Sequence, residues 1–265
     1  MNLFVVMFFQ AENNMNKKNR NIIIFVTTWL HFLLLHTLYC ASITIRSDEL
    51  YRKGIEALNS KDKIRAEQLF KESIRENDDA PSYFELAKID LDKNTFVSRN
   101  RAFENLKIAV WKDPGNIKYK FAYANICKDF ARFTAIDEYK EILRIDSTQI
   151  DAWINLGEMK ERDFTEYNQS FRDMDGILVP LQQYADEDLN EAEYYYNRAL
   201  AIDSLNYDAS LNLCLLYDKS GKSDKAIPIL GKLISNKKDN HIVHLCLGLI
   251  YYHQSRIKES CDEYK

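Results

Sequence analysis

The stretch Trp153–Gly157, with the sequence WINLG, decides the fold, and Leu247–Tyr251, with the sequence LGLIY, repeats its pattern. Both fit the opening of a helix–turn–helix unit of about 34 residues, written W-x2-L-G-x2-Y. Such a unit closes with small, large and small side chains at helical spacing, here Ala192, Tyr196 and Ala199. Because the small residues let two helices approach closely and the large one fills the space between neighbours, the pattern predicts stacked helical hairpins.

Six such units can be placed along the chain by the positions at which each unit should end. These positions are Asp78, Pro114, Ser147, Ser204 and Lys238. Three of the four intervals between them are close to the unit length of about 34 residues. The interval from Ser147 to Ser204 is longer than one unit and shorter than two. We therefore predict an insertion in the fourth unit, at about residues 161–188, which folds against the edge of the stack through its apolar residues.

From about Leu50 to Lys265 the chain resembles the tetratricopeptide repeat (TPR) superfamily. The resemblance implies an all-α fold, an α-α superhelix (TPR solenoid) of about six helical hairpins that occupies residues 47–265. Only seven Gly and four Pro among 265 residues agree with a nearly all-helical chain. The sixth unit stops one residue after Tyr264, so we predict that this last hairpin is incomplete and that the chain is a fragment or the front of a longer protein.

Residues 1–42 are predicted to be a signal peptide or an uncleaved signal anchor. The stretch from Ile22 to Leu38 carries no acidic residue, Lys or Arg and follows Lys17, Lys18 and Arg20, which is the layout of an export signal. As a helix this stretch spans roughly 25 Å, less than a hydrocarbon core of roughly 30 Å, which favours cleavage, for example after Ser42. Residues 1–14 place an apolar stretch ahead of these basic residues, whereas a start at Met15 gives the usual order of an export signal, so we predict Met15 as the true start. The basic residues come first, so the repeats are expected on the extracytoplasmic side, periplasmic or secreted.

Composition and motifs argue against several classes of function. The 36 basic and 40 acidic residues form no basic stripe, which argues against nucleic-acid binding. His241 and His244 lack a third ligand at a known spacing, so we predict no metal site and no cofactor. No nucleophile elbow, phosphate loop or H-E-x-x-H motif occurs, so no catalytic residue is assigned and the protein is predicted not to be an enzyme.

The resemblance implies a binding groove lined by the first helix of each repeat at motif positions two, five, nine and twelve. With Trp153 as position four, the predicted peptide-binding residues are apolar or aromatic: Tyr51, Phe84, Phe121, Ile154, Leu211, Leu215, Leu245, Leu249 and Tyr252. Such a surface fits an amphipathic helix or an extended peptide. The alternative is that the fold itself covers these side chains.

Two functions remain open from the sequence. The first is a non-enzymatic TPR scaffold that binds protein or peptide in an extracytoplasmic compartment. The second is an N-terminal accessory TPR region of a longer envelope protein or enzyme. In either case the N-terminal segment allows contact with a membrane.

Overall fold

The computed structural model describes residues 17–170, 181–236 and 241–264, with side chains described for residues 26–163, 187–236 and 241–264. Met15, residues 171–180 of the predicted insertion and Lys238 lie outside the described residues. Every regular element in the described ranges is a helix, and a short 3-10 turn (Ser223–Lys225) precedes the tenth. The helices are α1 (Lys17–Asn59), α2 (Lys63–Asn77), α3 (Ala80–Lys93), α4 (Phe96–Lys112), α5 (Ile117–Cys127), α6 (Arg132–Ile145), α7 (Ile150–Ser170), α8 (Leu181–Ile202), α9 (Tyr207–Lys219), α10 (Ala226–Ser235), α11 (His241–His253) and α12 (Ile257–Glu263).

Each odd-numbered helix packs against the helix that follows it, which gives six hairpins. Helices α1 to α4 form one compact unit, unit 1 (Met1–Lys112), and α5 to α12 form a second, unit 2 (Asp113–Lys265). The predicted all-α fold of about six helical hairpins is confirmed. The sixth hairpin closes with α12, a helix of only 7 residues.

Polar caps explain where several of these helices begin and end. The side chains of Asp62, Asp79 and Asn116 each accept a hydrogen bond from the backbone N–H three residues later, at the start of α2, α3 and α5. Asp78 and Asn94 take the left-handed conformation that ends α2 and α3. A cap satisfies backbone groups that the helix itself leaves unpaired, so these residues fix the turns between hairpin partners.

The small and large positions of the repeat pack as the sequence predicts. The first small position is held by a fully buried alanine in five hairpins: Ala66, Ala102, Ala135, Ala192 and Ala226. Four residues later a large side chain, such as Phe70 or Tyr196, is also fully buried. A Cβ atom added to Gly54 or Gly157 would lie 2.5 Å from Cε1 of Phe70 or Tyr196, respectively. The first helix of these hairpins therefore approaches the ring of the second so closely that only Gly fits.

The insertion in the fourth hairpin lengthens both of its helices. Helices α7 and α8 have 21 and 22 residues, whereas α9 has 13. The Lys160 ammonium lies 3.0 Å from the Asp188 carboxylate, and the Tyr196 hydroxyl donates to Glu161 at 3.0 Å, so side chains join the two helices at the predicted bounds of the insertion. Its packing against the stack stays a prediction.

Helix α1 is much longer than the other first helices. It runs for 43 residues without a break, through the predicted junction between the N-terminal segment and the first repeat. Every described side chain from Val26 to Ser42 is exposed. By length and composition, its part from Val26 to Asn59 is the one stretch of the described residues that could cross a membrane. A helix that is apolar on all sides needs an apolar environment around it.

Glu67 in unit 1 gives the protein a pH-dependent contribution to stability. Lys71 and Lys93 donate to its two carboxylate oxygens at 2.6 Å and 2.7 Å. These hydrogen bonds lower the pKa of Glu67 from 4.5 to about 2. Because the folded pKa is depressed, the stabilisation is present above pH 4.5 and is lost as the pH falls towards 2.

The Glu67→Gln variant is expected to unfold more easily at pH 7, by about 1 kcal/mol after allowance for solvent screening. The difference from the parent chain should shrink as the pH is lowered from 4.5 towards 2, because Glu67 becomes protonated in both states. Urea denaturation at pH 7 and at low pH measures this. An unchanged difference at the two pH values would show that the ion pairs contribute nothing.

Candidate protein-binding surface

The two predicted groove residues of unit 1 pack within that unit. The ring of Tyr51 is half-buried with its centroid 5.7 Å from that of Phe70, in the core between α1 and α2. The ring of Phe84 is buried, and the Lys88 ammonium lies 5.7 Å from its centroid. Neither residue presents an open apolar surface.

In unit 2 the fold also covers the groove positions of α5, α7 and α9. The half-buried ring of Phe121 lies 6.1 Å from the ring of Tyr139, which is fully buried. Ile154 and Leu211 belong to the hydrophobic core of unit 2, and Leu215 packs against that core. For these residues, as for the two in unit 1, the structure supports the alternative that the fold covers them.

The exposed part of the predicted surface is confined to α11. Leu245, Leu249 and Tyr252 are 54%, 38% and 60% exposed, and Ile242 is 39% exposed. Their spacing of three, four and three residues places the four side chains on one side of the helix. We call this surface the α11 face. The sequence reading missed Ile242, although it occupies motif position two in the same register.

Neighbouring helices explain why Leu245 is exposed while the residues at its motif position in α7 and α9 are buried. Helix α9 packs against both α7 and α11, so a first helix lies on either side of it. Position five is then buried, with Ile154 6% and Leu211 9% exposed. The described contacts of α11 are with α9, α10 and α12, and its position five, Leu245, stays more than half exposed. A helix packed on α11 as α11 packs on α9 would bury Leu245 as α11 accompanies the burial of Leu211.

Hydrogen bonds also join the helices at the middle of the predicted groove. The ammonium of Lys128, the residue that follows α5, donates to Asn155 at 2.6 Å and lies 3.3 Å from the Glu158 carboxylate, both on α7. The side chain of Asn212 on α9 donates to the other Glu158 oxygen at 3.3 Å. Glu158 thus joins three first helices. These polar groups are already partnered, which makes the middle of the groove a poor site for an apolar ligand.

Charged and polar groups on and beside α11 are paired within unit 2. His253 lies 2.8 Å from the Asp218 carboxylate, and His244 lies 2.7 Å from the Glu263 carboxylate. The Arg256 guanidinium stacks 4.3 Å from the centroid of the Tyr251 ring. Burial raises the pKa of the Cys246 thiol, which lies between this face and the core.

Candidate metal ligands are not brought together in the part of the chain that the structure describes. Among those residues no group of three or more His, Cys, Asp or Glu side chains could hold a metal ion. Cys214, in the small position of the fifth repeat, is fully buried, and its thiol contacts the carbonyl oxygen of Ala226 at 3.5 Å. It acts there as a small core residue.

Comparison with known proteins identifies the repeat. A family model described as tetratricopeptide repeat matches residues 183–247, which run from α8 through α11 up to Leu247. This part of the chain is therefore a tetratricopeptide repeat (TPR) region. No curated protein matches it in sequence.

Solved structures of TPR proteins and pilus biogenesis factors show the same fold over most of the chain. A tetratricopeptide repeat protein from Parabacteroides merdae superposes with a TM-score of 0.61 at 16% identity, over 82% of this chain and 77% of the other. PilW, a type IV pilus biogenesis factor, gives 0.59 at 15% identity, over 82% and 90%. PilF of Pseudomonas aeruginosa gives 0.57 at 14% identity, over 84% and 90%. At these identities the likeness establishes the fold alone.

Proposed function

We propose that this TPR protein is a non-enzymatic scaffold that binds a partner protein through the α11 face. The observation that supports this most is the row of four exposed apolar side chains on α11, of which Leu245 stands at the motif position that is buried in α7 and α9. A contiguous exposed apolar surface normally marks an interaction site. The TPR fold builds such surfaces from stacked hairpins.

The partner segment that fits the α11 face best is an amphipathic helix. Helix α11 packs on α9 in this way, and Leu211 of α9 and Leu247 of α11 belong to the same hydrophobic core. A partner helix in the equivalent place would carry apolar residues at i, i+3 or i+4, and i+7 towards Leu245 and Leu249. Its outer side would carry polar residues.

We further propose that the scaffold works outside the cytoplasm and is held at the membrane by α1. Lys17, Lys18 and Arg20 precede the apolar part of α1, and an excess of basic residues marks the cytoplasmic end of such a segment. The continuous helix from Lys17 to Asn59 supports retention as an anchor, because no linker separates the apolar part from the first repeat. The repeats would then lie on the far side of the membrane.

A display library of amphipathic helical peptides tests the binding proposal. Peptides selected on the parent chain are expected to carry apolar residues at helical spacing. Their affinity should fall at least about ten-fold when Leu245→Asp and Leu249→Asp are combined, because the variant places charges in the apolar centre of the interface.

Phe133→Asp is the matched control, because Phe133 is an exposed apolar residue of the same unit outside the α11 face. This control should keep the parent affinity. If the selected peptides bind the α11 double variant as tightly as the parent chain, the α11 face is not the binding surface.

A further inference from the structure

From the contacts of unit 1 we infer that this unit lies directly on the bilayer that α1 crosses, with Trp111 in the lipid headgroup region. The inference rests on the proposed role of α1 as a membrane anchor. It adds a second membrane contact, made by a residue far along the chain from the last apolar residue of the anchor, Ile45. The partner of this surface is a lipid bilayer, and the reasons lie in four features of unit 1.

The first feature is the length of the uncharged part of α1. From Asn21 to Ile45 the chain carries no Asp, Glu, Lys or Arg. As a helix this stretch spans roughly 37 Å, enough to cross a hydrocarbon core of roughly 30 Å with some tilt. Ile45 is exposed, and Arg46 is the first charged residue after it. The outer boundary of the hydrocarbon core is therefore expected near Arg46.

The second feature is that the packing of the first repeat begins directly after this boundary. Ser47 is only 1% exposed, and its hydroxyl lies 2.9 Å from the Ser73 hydroxyl. It also donates to the Asp79 carboxylate at 3.1 Å. Asp79 lies in the turn between α2 and α3, so this turn lies beside α1 one residue after Arg46. No spacer separates unit 1 from the bilayer.

The third feature is the position of Trp111 at the end of α4. The next residue, Lys112, donates to the Asp78 carboxylate at 2.5 Å, in the same turn that contacts Ser47. The Lys112 ammonium also lies 5.4 Å from the centroid of the Trp111 ring, which is 77% exposed. Trp111 is thus on the edge of unit 1 from which the apolar part of α1 emerges. Tryptophan is the side chain most typical of the bilayer interface.

The fourth feature is the charge of this edge. Arg46 pairs with Glu76 at 3.2 Å, Lys112 pairs with Asp78, and Arg75 adds a positive charge in the last turn of α2. Asp79 adds a negative charge that accepts hydrogen bonds from two serines. An edge without excess positive charge has no electrostatic attraction to anionic lipids. The contact is therefore expected on zwitterionic phosphatidylcholine vesicles.

Fluorescence quenching by brominated phosphatidylcholine tests the inference on the full chain. The chain has three Trp residues, and Trp29→Phe removes the one in the anchor. In the chain that carries Trp29→Phe, the fluorescence that is lost when Trp111→Phe is added is the contribution of Trp111. Phe96, at the other end of α4 and 80% exposed, provides the control through Phe96→Trp in the chain that lacks both Trp29 and Trp111.

The signal of Trp111 is expected to be quenched at least about three-fold more than the signal added by Phe96→Trp, because only the first lies at the bilayer interface. Equal quenching of the two signals, in chains that float with the vesicles, would overturn the inference and leave the anchor in place. Chains that fail to float would overturn both the anchor and the inference. Stronger quenching of the signal added by Phe96→Trp would mean that the opposite edge of unit 1 faces the lipid.

Discussion

Removal of residues 1–45 is expected to release the chain from membranes completely. The full chain should float with phosphatidylcholine vesicles in a density gradient and resist extraction at alkaline pH, because insertion of a membrane-spanning helix is effectively irreversible. The shortened chain begins at Arg46 and keeps Ser47 with its contacts to Ser73 and Asp79. It should therefore stay folded and remain in solution.

Circular dichroism of the shortened chain provides the control, since loss of helix in the repeats would make the release uninformative. The mass of the full chain after expression in bacteria measures processing. A mature chain that begins near Ile43 would show that the apolar part of α1 is a cleaved signal. A full chain that stays in the soluble fraction would contradict the anchor.

Gly157→Ala is expected to lower the free energy of unfolding by about 2 kcal/mol, although Ala normally favours a helix over Gly by roughly 1 kcal/mol. The new methyl group would lie 2.5 Å from Cε1 of Tyr196, a fully buried ring with no room to move. Tyr196→Ala should cost more, about 3–5 kcal/mol, because it empties the same site. Chemical denaturation of each variant measures these changes.

Gly231→Ala is the matched control, because Gly231 lies within α10 and a Cβ there would meet no atom within 4 Å. At this position Ala, which favours a helix more than Gly does, should raise the free energy of unfolding by roughly 0.5–1 kcal/mol. The two substitutions are identical in chemistry and opposite in expected sign. If Gly157→Ala also stabilised the protein, the close contact between α7 and α8 would not be the reason for Gly at this position.

The packing of the hairpins could be predicted from the sequence because it depends on residues close to one another in the repeat. Ala192 and Tyr196 are four residues apart, and their burial follows from helical spacing alone. The hydrogen bonds of Glu158 could not be predicted, because they join it to Lys128 and Asn212, which are distant in the sequence. Their formation depends on how the side chains of three first helices meet.

The exposure of the predicted groove residues could not be read from the sequence, for a physical reason. Leu211 and Leu245 are the same residue type at the same motif position, yet one is buried and the other exposed. Leu211 lies on α9, which packs against the first helices α7 and α11, whereas Leu245 lies on α11, which packs against the first helix α9. The difference in burial therefore comes from the neighbouring helices and not from the residues themselves. Likewise, Arg46 and Ser47 end the uncharged stretch, but only the contact of Ser47 with the first hairpin shows that α1 continues into the repeat.

Hydrogen exchange of the full chain in phosphatidylcholine nanodiscs, with and without a peptide selected from the helical library, tests the central claim most directly. Binding of the peptide to the α11 face should slow amide exchange within His241–His253, because a covered helix opens less often. Exchange in α4 and α6 should stay unchanged. Protection confined to other helices, with α11 exchanging as in the free protein, would contradict the account.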